Sequence, residues 1–180
     1  MAATSSDILV RLTTKSGSAG NTNTSTPAAS LGKFLSTTLL VSASLHNLFD
    51  LVTGAENQIS DIEYRCLGIL NNHGSDSIFN VRAFIVSQDS GGITYEIGAD
   101  PASSSPKGQG SDQFEEIATD KNAPTGVSFS TPSSYASGVT LGGGTIAAGS
   151  CAGLWIRRVA ANTSSKAADS GLFRLQWDSV

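Results

Sequence analysis

The side chains of this chain that could act on a substrate are few, and their spacing fits no familiar catalytic pattern. Histidine, on which base catalysis and metal ligation lean, occurs twice, as His46 and His73. His73 lies in an Asn72-His73-Gly74 turn and His46 precedes the first long strand, with no second histidine four residues from either. A Ser-His-Asp triad can assemble across distant segments, so spacing leaves it open, but the Gly-x-Ser-x-Gly elbow before a helix is missing. Structural roles are expected for both histidines.

Carboxylates cluster twice. Asp50, Glu56, Asp61 and Glu63 invite a calcium or paired-acid reading, yet their spacing matches no calcium loop. Asp112, Glu115, Glu116 and Asp120 surround Phe114 and Ile117 and read as a solvated loop face. Gly142-Gly143-Gly144 lacks the Gly-Lys-Ser/Thr ending of a phosphate cradle and reads as a hairpin turn. Tyr95, Trp155 and Trp177 could stack on sugar rings, but each sits in a strand with apolar alternate partners, which favours core packing. Cys66 and Cys151, the only cysteines, both fall in expected strands. They are read as buried free thiols, with a bridge between them left open. The expectation is a non-enzyme with no catalytic residue, no cofactor and no metal site.

Composition narrows the classes further. Charged residues are 14% of the chain, against roughly 25% in ordinary globular proteins, and Ser plus Thr make up about a quarter. Such a surface repels neighbours weakly and suits close packing among copies or against a partner. A net charge of −4 with no basic stripe argues against nucleic acid. Arg157 and Arg158 are adjacent on an expected strand and so point to opposite faces. No apolar run approaches the length of a membrane helix, and Met1 to Asp7 has no signal-peptide pattern, so a soluble protein without membrane contact is expected.

The elements that must position these groups are strands. Ile8 to Leu12 opens the series; then come Tyr64–Leu70, Val81–Val86, Ile93–Ile97, Val127–Phe129, a weak Val139–Leu141, Gly153–Val159 and Leu172–Trp177. Ile93, Tyr95 and Ile97 alternate with Thr94 and Glu96, as Phe173, Leu175 and Trp177 do with Arg174 and Gln176. Ser-, Gly- and Pro-rich separators stand between the strands, with no long amphipathic helix. The expected fold is an all-β antiparallel sandwich, immunoglobulin-like or jelly-roll, with an extended N-terminal arm. Residues 1–45 are read as arm and clamp and 46–180 as the sandwich.

Thr13 to Ser30 has no large apolar residue to offset the entropy of ordering it. It reads as a tether, with Ile8–Leu12 either pairing with a neighbour's sheet edge or forming a self-paired first strand. Leu45, Leu48, Phe49 and Val52 would share one face of two helical turns, but no strong cap flanks them and Gly54 ends the pattern. That stretch is expected to be a loop or single turn clamped on the body.

Several short motifs carry a family resemblance. They are Ser30-Leu31-Gly32, Asn47-Leu48-Phe49-Asp50, Tyr64-Arg65-Cys66 with Asn71-Asn72, Asn80-Val81-Arg82-Ala83-Phe84-Ile85 and Leu154-Trp155-Ile156-Arg157-Arg158. In order and spacing they resemble a group of tailed-bacteriophage virion structural proteins, over Ser30 to Val159. The resemblance implies a particle component, most like a capsid decoration (cement) protein that bridges major capsid protein subunits. A neck, tail or baseplate part, or a glycan- or receptor-binding sandwich, is the alternative. Implied partners are the major capsid protein or other virion proteins, with homo-oligomers expected in a virion assembled in the host cytoplasm. Ile8, Val10 and Leu12 by strand pairing, and Leu31, Phe34 and Leu35 by docking, are the expected contacts. Arg65, Arg82, Arg157 and Arg174 are expected as rim or ion-pair residues.

Overall fold

A computed structural model describes residues 2–24, 26–90, 92–162 and 170–179. The strands in chain order are β1 (Ile8–Thr14), β2 (Gly32–Leu39), β3 (Asp61–Asn71), β4 (Ile78–Gln88), β5 (Thr94–Ala99) and β6 (Ser105–Pro106). They continue with β7 (Phe114–Glu116), β8 (Val139–Thr140), β9 (Thr145–Ile146), β10 (Ser150–Ala160) and β11 (Gly171–Ser179). A short α-helix, α1 (Gly54–Gln58), precedes β3, and single 3-10 turns stand at Ser5–Asp7, Pro27–Ala29 and Gly142–Gly144.

Two antiparallel sheets form the expected all-β sandwich. The larger runs β5-β10-β3-β1-β2-β7 with β6 also on β10; the smaller runs β11-β4-β8 with β9 also on β4. The sequential strands β3 and β4 therefore lie in different sheets, and the Asn71–Asp76 turn crosses between layers. Leu67 and Ile69 of β3 and Leu154 and Ile156 of β10 point between the sheets, where they meet Ile78, Val81 and Ile85 of β4. Phe173, Leu175 and Trp177 pack on this core from β11 but stay half-buried.

The alternate residues of β3 and β10 are also buried. Tyr64, Cys66, Leu70, Cys151 and Trp155 form a second core with Leu35, Phe114 and Ile117. A strand apolar on both faces must be covered on both, and here the larger sheet supplies the second cover itself. Gly68 and Gly153 stand opposite each other in the ladder. Their missing side chains leave the space that Leu35 and Phe114 fill. Asp100, just past β5, fastens the curl. One carboxylate oxygen accepts from Glu115 N on β7 at 2.9 Å and from Trp155 Nε1 at 2.8 Å, and the other accepts from Ala102 N at 2.9 Å. The first and last strands of the larger sheet's order thus meet at one buried carboxylate.

The N-terminal region is not an extended arm, which corrects the reading of residues 1–45. β1 lies inside its own domain's sheet between β3 and β2, so of the two alternatives for Ile8–Leu12 the self-paired strand is the one realised. The apolar-poor stretch after it is ordered by hydroxyls. Ser30 Oγ accepts from Thr13 N and donates to Cys66 O, Thr24 Oγ1 donates to Thr13 O, and Gly20 N and Thr37 N bond Leu35 O and Thr22 O. Satisfied backbone groups do here what large apolar side chains do elsewhere.

Residues 46–53 are irregular and anchored by buried Leu48 and Phe49, in line with the clamp reading. Gly54, read as a stop, is instead the first residue of α1, whose N-terminus carries a Thr53–Glu56 capping box. Val127–Phe129 forms no strand; Ser130 makes an isolated bridge to Ile97.

Candidate functional site

The groups singled out in the sequence do not converge. His73 Nδ1 accepts from Asp76 N at 2.9 Å and from Ser75 N at 3.3 Å, closing the turn after β3. His46 is exposed and stands in a shallow cleft of about 200 Å³ with Thr26, Pro27, Phe49, Asp50 and Arg65. That is smaller than the roughly 300–1,000 Å³ of ordinary ligand pockets.

Glu56, Asp61 and Glu63 do bring ligand atoms within 4.8 Å of one another. The protein's own cations compensate Asp61 and Glu63, and a backbone N–H holds Glu56. Lys121 Nζ contacts Asp61 and lies 2.9 Å from Glu63, Arg158 contacts the other Glu63 oxygen, and the Glu56 carboxylate caps α1 by accepting from Thr53 N. Arg158 also donates to the Asp50 carbonyl oxygen at 2.5 Å and to its carboxylate at 3.1 Å. The guanidiniums of Arg65 and Arg158 lie 5.2 and 4.9 Å from the Phe49 ring centre. This end of the sandwich is a buried ion network plugged by an aromatic ring, in which Arg65, Arg158 and Glu63 are almost wholly excluded from solvent.

The second acidic stretch is similarly divided. Glu116 pairs with Lys33 at 3.1 Å and Lys15 at 3.6 Å, and Asp120 pairs with Arg65 at 3.2 Å. Gly142, Gly143 and Gly144 all take positive φ in a 3-10 turn that leads into β9 rather than a long helix. Trp155 is fully buried with its indole N–H on Asp100, so it offers no sugar platform. Cys66 and Cys151 are free and buried, and burial pushes the Cys151 thiol up to about 12 and holds the Cys66 thiol well above its ordinary value.

Of the expected contact residues, Leu12 and Leu35 are core, and Ile8, Val10 and Leu31 pack against core clusters of their own chain. Phe34 is half-buried beside Lys33, whose ammonium lies 5.5 Å from the ring centre. Arg157 pairs with Glu96 at 2.6 Å, Arg82 bonds the Tyr135 and Ala136 carbonyls, and Arg174 is exposed. The exposed large apolar side chains lie elsewhere. Among the described residues, five of the eight exposed large apolar side chains, Leu39, Val41, Leu45, Leu51 and Ile59, fall in the single stretch from the end of β2 to the start of β3. Leu45 is 77% exposed within it. Asp100 is the functional-looking group that sequence reasoning missed: burial raises its pKa against three N–H donors that pull the other way.

No protein-family model matches this chain, and no curated protein or solved structure matches it.

Proposed function

We propose that this chain is a non-enzymatic structural component of a tailed-phage particle, a head decoration protein that bridges and stabilises major capsid protein subunits. The observation that carries the reading is the exposed apolar stretch from Leu39 to Ile59 on a body whose ionisable clusters are paired internally. Apolar surface left in water on an otherwise well-packed domain favours burial against a partner. A capsid seam needs such a component, because internal pressure pulls subunits apart and added buried area opposes it. The sandwich with two cores gives a stiff strut, and the motifs from Ser30 to Arg158 resemble those of virion proteins. Docking through residues 39–59 replaces docking through an N-terminal arm, since β1 is occupied within its own sheet.

The test is binding of the purified chain to capsid shells that lack it, followed by sedimentation. Saturable binding at a fixed ratio to capsid subunits, lost when Leu45→Asp and Leu51→Asp are combined, is the expected result. Equal binding by wild type and the double variant overturns the assigned surface, and no binding to any shell overturns the function.

A further inference from the structure

The smaller sheet ends in a strand with no neighbour on its far side among the described residues. β11 pairs with β4 alone, and among the described residues no other backbone group bonds to Gly171–Ser179. Exposed edges are normally blunted by proline, a bulge or inward charge. β11 has no proline, no bulge of its own and no inward charge, and its two charges, Arg174 and Asp178, lie on the exposed outer face. Both register shifts in the β11–β4 ladder place the extra residue on β4, so the nine residues of β11 run unbroken for about 30 Å. Phe173, Leu175 and Trp177 on the inner face remain half-buried, and Leu172, Arg174, Gln176 and Asp178 on the outer face are exposed.

The order of these side chains identifies an occupant. In an antiparallel two-fold pair each residue must face one of the same parity, so that apolar faces meet apolar faces. An axis at Arg174 sets guanidinium against guanidinium. An axis at Leu175 sets Arg174 against Gln176 and Leu172 against Asp178. An axis at Gln176 sets Arg174 directly against Asp178 of the second copy, twice by symmetry, and Leu175 against Trp177, also twice. Arg174 has no ion-pair partner among the described residues, and Asn80 occupies only Oδ2 of Asp178. Only the last register joins opposite charges directly across the strands while extending the apolar ladder.

We propose that β11 is a self-pairing edge, through which two copies of this chain join antiparallel about a two-fold axis at Gln176 to make one continuous sheet from their two smaller sheets. The pairing is independent of any particle assignment. It leaves the stretch 39–59 outside the paired strands.

Sedimentation equilibrium on the full chain tests it. Wild type is expected to dimerise, and Arg174→Asp or Asp178→Arg alone to weaken dimerisation about tenfold or more, because two attractive pairs become two repulsive ones. The exchange variant carrying both substitutions is expected to dimerise like wild type. Thermal melts accompany each variant, since positions 174 and 178 are exposed and the fold should survive. Oxidising Gln176→Cys should yield a covalent dimer, and oxidising Arg174→Cys should not. A monomeric wild type, single variants that dimerise unchanged, an exchange variant that fails to recover, or cross-linking at 174 instead of 176 overturns the proposal.

Discussion

A methyl group placed on Gly68 tests whether the larger sheet is folded over its own outer face. A Cβ there stands 2.2 Å from Leu35 Cδ1 and 3.2 Å from Phe114 Cζ. Carbon atoms settle at about 3.5–4.0 Å, so Leu35 must retreat by more than about 1 Å. Leu35 is fully buried and has little room to do so. Overpacking of this kind costs about 1–3 kcal/mol, and removing glycine's freedom in the unfolded chain returns about 0.4–1 kcal/mol. The net loss for Gly68→Ala is about 1–2 kcal/mol, which lowers Tm by about 2–8 °C in a chain of this size. Leu35→Ala alone costs about 2–5 kcal/mol through its cavity. In the double variant the new methyl enters space that Leu35 has vacated, so the combined cost falls short of the sum by about 1 kcal/mol or more. Urea unfolding followed by tryptophan fluorescence reads all four proteins, with Trp155 of the same core as a reporter. Strict additivity, or a Gly68→Ala protein as stable as wild type, refutes the packing of β2 over β3.

Glu63→Gln leaves Arg158 buried with only the exposed Asp50 carboxylate to balance it, so stability should drop by about 3–5 kcal/mol in urea melts. The raised pKa of Asp100 means that the folded state holds its proton more tightly than the unfolded chain does. Its contribution to stability is therefore greatest below the ordinary aspartate range and falls as pH rises through that range and the raised value, so Asp100→Asn should flatten this part of the stability–pH curve. Cys66 and Cys151 should resist a thiol reagent at about pH 8 in the native protein and react at once in denaturant, because only the thiolate attacks and both thiols are buried and raised.

Much of the body was legible because its strands are long and alternate cleanly. Residues 64–70 and 153–159 fall within β3 and β10, and both faces of β3 carry apolar side chains, which already signals cover on two sides. The identity of the second cover was not legible, since Leu35 and Phe114 reach Gly68 from remote segments. Residues 13–30 were misread for a physical reason: hydroxyls such as Ser30 and Thr24 order a chain by satisfying its backbone, and a count of large apolar residues cannot see this. The Thr53–Glu56 box was visible in the sequence but hidden by the glycine after Thr53. Asp100 sits before Pro101 and reads as a turn, while its donors come from residues 102, 115 and 155. The pairing of Glu63 with Arg158 likewise needed the β3–β10 register, which sets the two opposite each other.

Electron microscopy of the intact particle tests the assigned role most directly, through the position and orientation of this chain in the density. The account predicts copies at symmetry-related seams of the head with residues 39–59 buried against capsid subunits. Particles without the chain, or copies whose 39–59 stretch faces solvent, contradict it.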